Sequence, residues 1–214
     1  MLEHVPHWLG AAMRGFRAGA DKLCIAQVEL GSSVVSIDLS SPAFAHGGRL
    51  PPRFTADGEG VSPPLVWGKL PEGTESLALI VEDPDAPSPQ PLVHAVVWGI
   101  PAEERRLAEG AIQRDGDGDP NGQDVGRNSY FLEGWLPPDP PTGHGDHNYA
   151  FQLFALAGVP ELDATPGRAA LMRAMAGKVL AAGLLTGTYS RGEPQKLAPG
   201  RAPVARASPR GAPA

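Results

Sequence analysis

An unbroken apolar block, Leu77-Ala78-Leu79-Ile80-Val81, is closed by a turn of unusual stiffness, Glu82-Asp83-Pro84-Asp85-Ala86-Pro87. A short apolar run bounded by turn residues predicts a buried strand. The chain returns as Val93-His94-Ala95-Val96-Val97-Trp98, a second strand, and Ala150-Phe151-Gln152-Leu153-Phe154-Ala155-Leu156 predicts a third. Shorter groups, Val34-Val35-Ser36-Ile37, Leu65-Val66-Trp67 and Leu184 to Tyr189, predict further strands. Turns at Ala45-His46-Gly47-Gly48 and Pro71-Glu72-Gly73-Thr74 punctuate them, at spacings near the roughly 8–12 residues of β-sandwiches.

Helical periodicity is confined to two places. Across residues 5–20, Trp8, Leu9, Ala12, Met13 and Phe16 fall on one stripe, with Arg14 and Arg17 off it. This short amphipathic helix, opened by Pro6, is expected to pack on the body or on a second subunit. Its two arginines are few for a membrane-surface helix. The second helix follows Thr165-Pro166, carries Leu171, Met172, Met175 and Val179 on a core face, and is expected to stop at Gly183.

Composition narrows the class. A chain of 214 residues fits one domain with appendages. The pattern divides it into a lead-in over 1–32, a sandwich domain over 33–191, and a tail over 192–214 rich in Pro, Ala, Gly and Arg. That tail has no apolar period and is expected to be disordered. The net charge of −6 argues against general nucleic-acid binding. No apolar run approaches the roughly 18 residues of a membrane span, and the start lacks the features of a signal peptide. The single Cys24 excludes an internal disulfide, so a cytoplasmic protein without stable membrane insertion is expected. Asp115-Gly116-Asp117-Gly118-Asp119 imitates a calcium loop, but Pro120 and Gly126 stand where its turn glycine and bidentate glutamate belong. It reads as a surface loop, and no metal or cofactor is expected.

Two stiff, polar loops each abut a buried strand. The first delivers Asp83 and Asp85, with His94 returning on the next strand; the second, Gly143-His144-Gly145-Asp146-His147-Asn148-Tyr149, precedes the 150–156 strand. If the strands are neighbours, Asp83, His94, His147 and Tyr149 converge. Taken singly, each has a plainer use. His94 serves equally as a core histidine, Tyr149 as a core residue with a local hydroxyl bond, and Asp85 as a turn cap. His144 and Asp146 read as solvated.

These residues resemble the two signature regions of the phosphatidylethanolamine-binding protein family, also called the Raf kinase inhibitor-like family. The carriers are Asp83-Pro84-Asp85-Ala86-Pro87, His94 and Gly145-Asp146-His147-Asn148-Tyr149. Its bacterial branch is matched further by Arg49-Leu50-Pro51, Ser62-Pro63-Pro64-Leu65, Gly126-Arg127-Asn128-Ser129 and Gly187-Thr188-Tyr189. The resemblance covers residues 33–190 and implies a Greek-key β-sandwich, all-β apart from a few short helices, with a small anion pocket at one end. Asp83, His94, His147 and Tyr149 would line that pocket, with Asp85 and Gly145 in the same motifs and Ala86 and Pro87 shaping its wall. Two departures stand out. Asn148 replaces the usual arginine of the second motif, and Leu92-Val93 replaces the tryptophan before the strand histidine.

A phosphate or carboxylate needs N–H donors and nearby positive charge. Asp83 is the natural orienter, holding one nitrogen of an imidazole so that the other N–H faces the pocket. Binding should then strengthen as pH falls toward about 6. The expected function is a non-catalytic module for small anionic ligands, phosphate- or carboxylate-bearing. The alternatives are a kinase or protease inhibitor acting through its surface, and a hydrolase using the His/Asp cluster. No nucleophile stands in a recognised setting, which disfavours the hydrolase. Bacterial relatives lead to the expectation of a homodimer; no protein partner is legible.

Overall fold

The block Leu77–Val81 lies at the centre of the larger of two sheets. The computed structural model describes residues 6–29, 35–114, 123–163 and 165–192. Within them the strands are β1 (Val35–Ser36), β2 (Leu39–Ser40), β3 (Gly48–Arg49), β4 (Leu65–Trp67), β5 (Ser76–Asp83), β6 (Leu92–Pro101), β7 (Arg106–Leu107), β8 (Asp124–Val125), β9 (His147–Leu156) and β10 (Val179–Tyr189). Helices α1 (His7–Ala12), α2 (Cys24–Gln27) and α3 (Arg168–Met175) accompany them. The larger sheet runs β1-β10-β9-β5-β6-β8, with β3 also on β10, and the smaller runs β2-β4-β7. The fold is mostly β with a few short helices, as the apolar pattern predicts.

Both faces of β5 are covered, which explains an apolar run without alternation. Leu77, Leu79 and Val81 join Phe151 and Leu153 in a core shared with Leu39, Leu65, Trp67 and Leu107 of the smaller sheet. Ala78 and Ile80 point the other way, to Phe154 and Leu156, beneath Cys24, Leu171 and Met175 from the helical segments. Register is antiparallel on both sides of β5: Leu79 faces Leu153 of β9 and Val97 of β6.

Three local expectations are corrected. The N-terminal stripe does not pack: α1 is six residues long and docks through Gly10, leaving Trp8, Leu9 and Phe16 exposed. Residues 24–27 form a short helix, α2. The 165–183 pattern splits, because Gly177 takes the left-handed conformation at φ 71° and turns the chain out of α3. Val179 therefore opens β10, and Gly183 is a mid-strand residue paired with Leu153. Gly167, not Thr165, precedes α3, without a side-chain cap. The calcium-like loop over 115–122, the start of the first strand at Val34 and the tail beyond Gly192 lie outside the described residues. Among the described residues no helix is long and apolar enough to cross a membrane.

Candidate functional site

Strand order β9-β5-β6 brings three ends together, because the pairing is antiparallel. The end of β5 supplies Asp83, the start of β6 supplies His94, and the start of β9 supplies His147 and Tyr149. His94 arrives by a local irregularity. Val81 pairs with Ala95 and Glu82 with Val93, so His94 is the extra residue of a bulge. A bulge re-aims its side chain, here toward the inner face against Tyr149 and Trp135, with ring centroids at 5.1 and 6.0 Å. All four predicted residues are buried.

The Asp83 carboxylate is held at both oxygens. Oδ1 accepts the Asp85 backbone N–H at 2.8 Å, and Oδ2 accepts His147 Nδ1–H at 2.6 Å. The orienting role expected of Asp83 is thus played toward His147. The free nitrogen of His147, however, is directed at a second histidine rather than at open space. His147 Nε2 lies 2.7 Å from His144 Nδ1, and His144 Nε2 lies 2.9 Å from the Met13 carbonyl. His144, expected to be solvated, is completely buried. Asp146 is exposed on the surface of the same loop.

The Met13 carbonyl can only accept, so His144 Nε2 carries a proton, and the bond between the two rings depends on their tautomers. Burial and the neighbouring His147 lower the His144 pKa.

His94 is wired differently. Its Nδ1–H donates to the Leu136 carbonyl at 2.6 Å, and Nε2 is buried without a partner. Burial lowers its pKa, so at neutral pH Nε2 carries a lone pair and no proton. Beside it the Tyr149 hydroxyl is also buried and unpartnered, and burial raises its pKa well above the usual range, keeping its proton in place. A donor and an acceptor are thus both buried without a hydrogen-bond partner, an arrangement costing about 1–3 kcal/mol per group.

Asp85 does not cap its own turn. Burial works to raise its pKa, and hydrogen bonds from Arg17 and Asn148 outweigh that and hold it low. Asn148 donates twice to Oδ2, from backbone and side chain, each at 2.7 Å. The residue standing where the family has arginine therefore ties the two loops together. Ala86 is buried in the wall and Pro87 is half-buried. Gly145, at φ 107°, sits beside Arg17. A further network braces the second loop: Arg191 pairs with Asp57 and Asp139, and its carbonyl accepts Gly143 N–H at 3.0 Å. Sequence reasoning missed Met13, Arg17, Trp135, His144 and Arg191. Only the His144-x-x-His147 spacing was visible as a signal. Among the described residues, no three His, Cys, Asp or Glu side chains converge to hold a metal ion.

A two-sheet fold with this Asp–His–Tyr cluster at the end of the larger sheet defines a class that comparison makes specific. The family model described as phosphatidylethanolamine-binding protein matches residues 40–190. A UPF0098 protein of Methanothermobacter thermautotrophicus is 40% identical over 156 residues, 73% of this chain and all of that one. Another from Aquifex aeolicus is 38% identical over 157 residues, 72% of this chain and 89% of the relative. Among solved structures, Escherichia coli YbcL, described as a member of the mammalian PEBP family, matches with TM-score 0.67 and 30% identity over 73% of this chain and 99% of that one. The PEBP homologue CT736 of Chlamydia trachomatis gives TM-score 0.65 and 32% identity, covering 73% and 98%. The chain belongs to the phosphatidylethanolamine-binding protein family.

Proposed function

We propose that the chain is a non-catalytic binding module that takes up a small anion, a phosphate or carboxylate, between His94 and Tyr149. The observation that carries this reading is the pair of buried, unpartnered polar atoms, His94 Nε2 and Tyr149 Oη, on adjoining rings. Native proteins leave few such atoms, and two side by side at a sheet end favour a ligand that satisfies both. The Tyr149 hydroxyl donates to an anionic oxygen. The lone pair on His94 accepts from a protonated oxygen, P–OH or COOH, or takes up a proton itself and donates. Either way one proton enters with the ligand.

The non-catalytic part of the reading has two supports. The histidine chain ends on a backbone carbonyl, not on a serine, threonine or cysteine nucleophile. The thiol of Cys24 is pushed up to about 12 by burial and by Glu82, and so stays protonated.

The test is a titration of the full chain with inorganic phosphate and with phosphoethanolamine, followed by NMR. Tyr149→Phe and His94→Gln should each weaken binding about tenfold, the worth of one hydrogen bond to a charged group. Binding that survives both substitutions unchanged places the anion elsewhere and overturns the assignment.

A further inference from the structure

The N-terminal segment is attached in two parts of unequal strength. Residues 20–28 are seated on the sheet. Cys24 N–H donates to Glu82 Oε2 and Ile25 N–H to Gln152 Oε1, each at 2.7 Å. Both acceptors are fully buried, and Arg168 pairs with Glu82 while donating to the Lys22 carbonyl at 2.6 Å. Leu23, Cys24 and Val28 are buried as well.

Residues 6–19 bridge the two loops of the candidate site. Ala18 and Gly19 donate to the carbonyls of Ala86 and Pro84 at 3.1 and 2.9 Å, strapping the first loop. Arg17 pairs with Asp85 and donates to the Asp146 carbonyl, and Arg14 Nε donates to the Gly143 carbonyl at 2.8 Å. Met13 supplies the carbonyl that holds His144 Nε2–H. This half buries little apolar surface: Gly10 and Ala18 are enclosed, while Trp8 and Phe16 are 70% and 55% exposed. It is held by hydrogen bonds and the partly exposed Arg17–Asp85 ion pair, the kind of attachment that opens locally while the rest stays folded.

We infer that residues 6–19 are a displaceable cover, which ties the two loops shut beside the buried His94–Tyr149 pair and so competes with ligand. The inference rests on the anion-pocket reading and adds its regulation. With the cover down, Asp83, His94, His144, His147 and Tyr149 are all buried, and no anion reaches them. Lifting it releases both loops at once. Apparent affinity is then the intrinsic affinity multiplied by the fraction of molecules that are open.

Gly10 offers a direct handle on the full chain. A Cβ there would lie 2.2 Å from the Thr142 carbonyl oxygen, so Gly10→Val cannot seat α1 on the second loop. Inorganic phosphate is titrated against wild type, Gly10→Val, and Gly10→Val carrying His147→Ala. The expected result is binding at least about tenfold tighter in Gly10→Val than in wild type, lost when His147 is removed as well. Coupling is reciprocal. Saturating phosphate should therefore speed trypsin cleavage of the wild-type chain after Arg14 and Arg17, a readout that needs no variant. Should Gly10→Val misfold, Arg17→Ala replaces it. Equal phosphate affinity in wild type and open variant, with His147 still required, overturns the cover and leaves the pocket standing. Absence of phosphate binding in wild type and in a folded open variant overturns both.

Discussion

The unusual features of single residues here are protonation states imposed by partners. His94 spends its one neutral-state proton on the Leu136 carbonyl, so an anion meets a lone pair unless a proton comes with it. Phosphoethanolamine, whose phosphate loses its last proton at about pH 6, should therefore bind more tightly at pH 6 than at pH 8. At pH 8 it carries no P–OH, so calorimetry in buffers of different ionisation enthalpy should show net proton uptake, and zero uptake would contradict the assignment. The same burial has a consequence for stability. The folded pKa of His94 is depressed below its usual 6.5, so the unfolded chain takes up a proton there while the folded chain does not. That contribution to stability is complete above pH 6.5 and is lost as pH falls toward the folded value. Tm should drop between pH 7.5 and 5.5, a window above the carboxylate range, and His94→Gln should shrink the drop.

At the scale of elements, β5 and β9 are held from both sides, so their contribution to stability is large and easily tested. Leu79→Ala should cost about 3 kcal/mol in urea unfolding, because Leu79 is fully buried between the sheets. Removing Arg168 leaves the fully buried Glu82 carboxyl short of its ion partner, and Arg168→Ala should cost a similar amount. A loss under about 1 kcal/mol would mean that Cys24 N–H and Gln152 suffice for that carboxylate. Cys24 itself should resist thiol reagents until the chain unfolds, since it is fully buried and its pKa is pushed up to about 12.

These elements were also the legible ones. An apolar block buried on both faces, as in β5 and β9, writes its character directly into sequence, and the loops that abut such strands carried the candidate residues. The bulge at His94 was not legible, because a one-residue slip in pairing leaves the local apolar pattern unchanged. Nor was the end of α3: the core face of the helix and the first residue of β10 form one continuous helical period, broken only by the backbone of Gly177. His144 reads as solvated from sequence, because a glycine-flanked polar loop usually is. Its burial depends on a segment 131 residues earlier, which donates no side chain to it.

Across the whole molecule, the N-terminal segment has the most distinctive geometry. Read as a helix, its apolar stripe faces a partner; in the fold, the opposite face is docked and the backbone makes the contacts. Met13, Ala18 and Gly19 act through carbonyl and amide groups that every residue possesses, which is why no sequence pattern announces them. The pocket and its cover thus meet where distant parts of the chain converge, at β5, β6, β9 and residues 6–19. The most direct test of the anion pocket is titration of the full chain with phosphate and phosphoethanolamine at pH 6 and pH 8, alongside His147→Ala. Saturable binding, tighter at pH 6 and lost in the variant, is the predicted result. Binding indifferent to both pH and His147, or absent at both pH values in wild type and Gly10→Val alike, would contradict it.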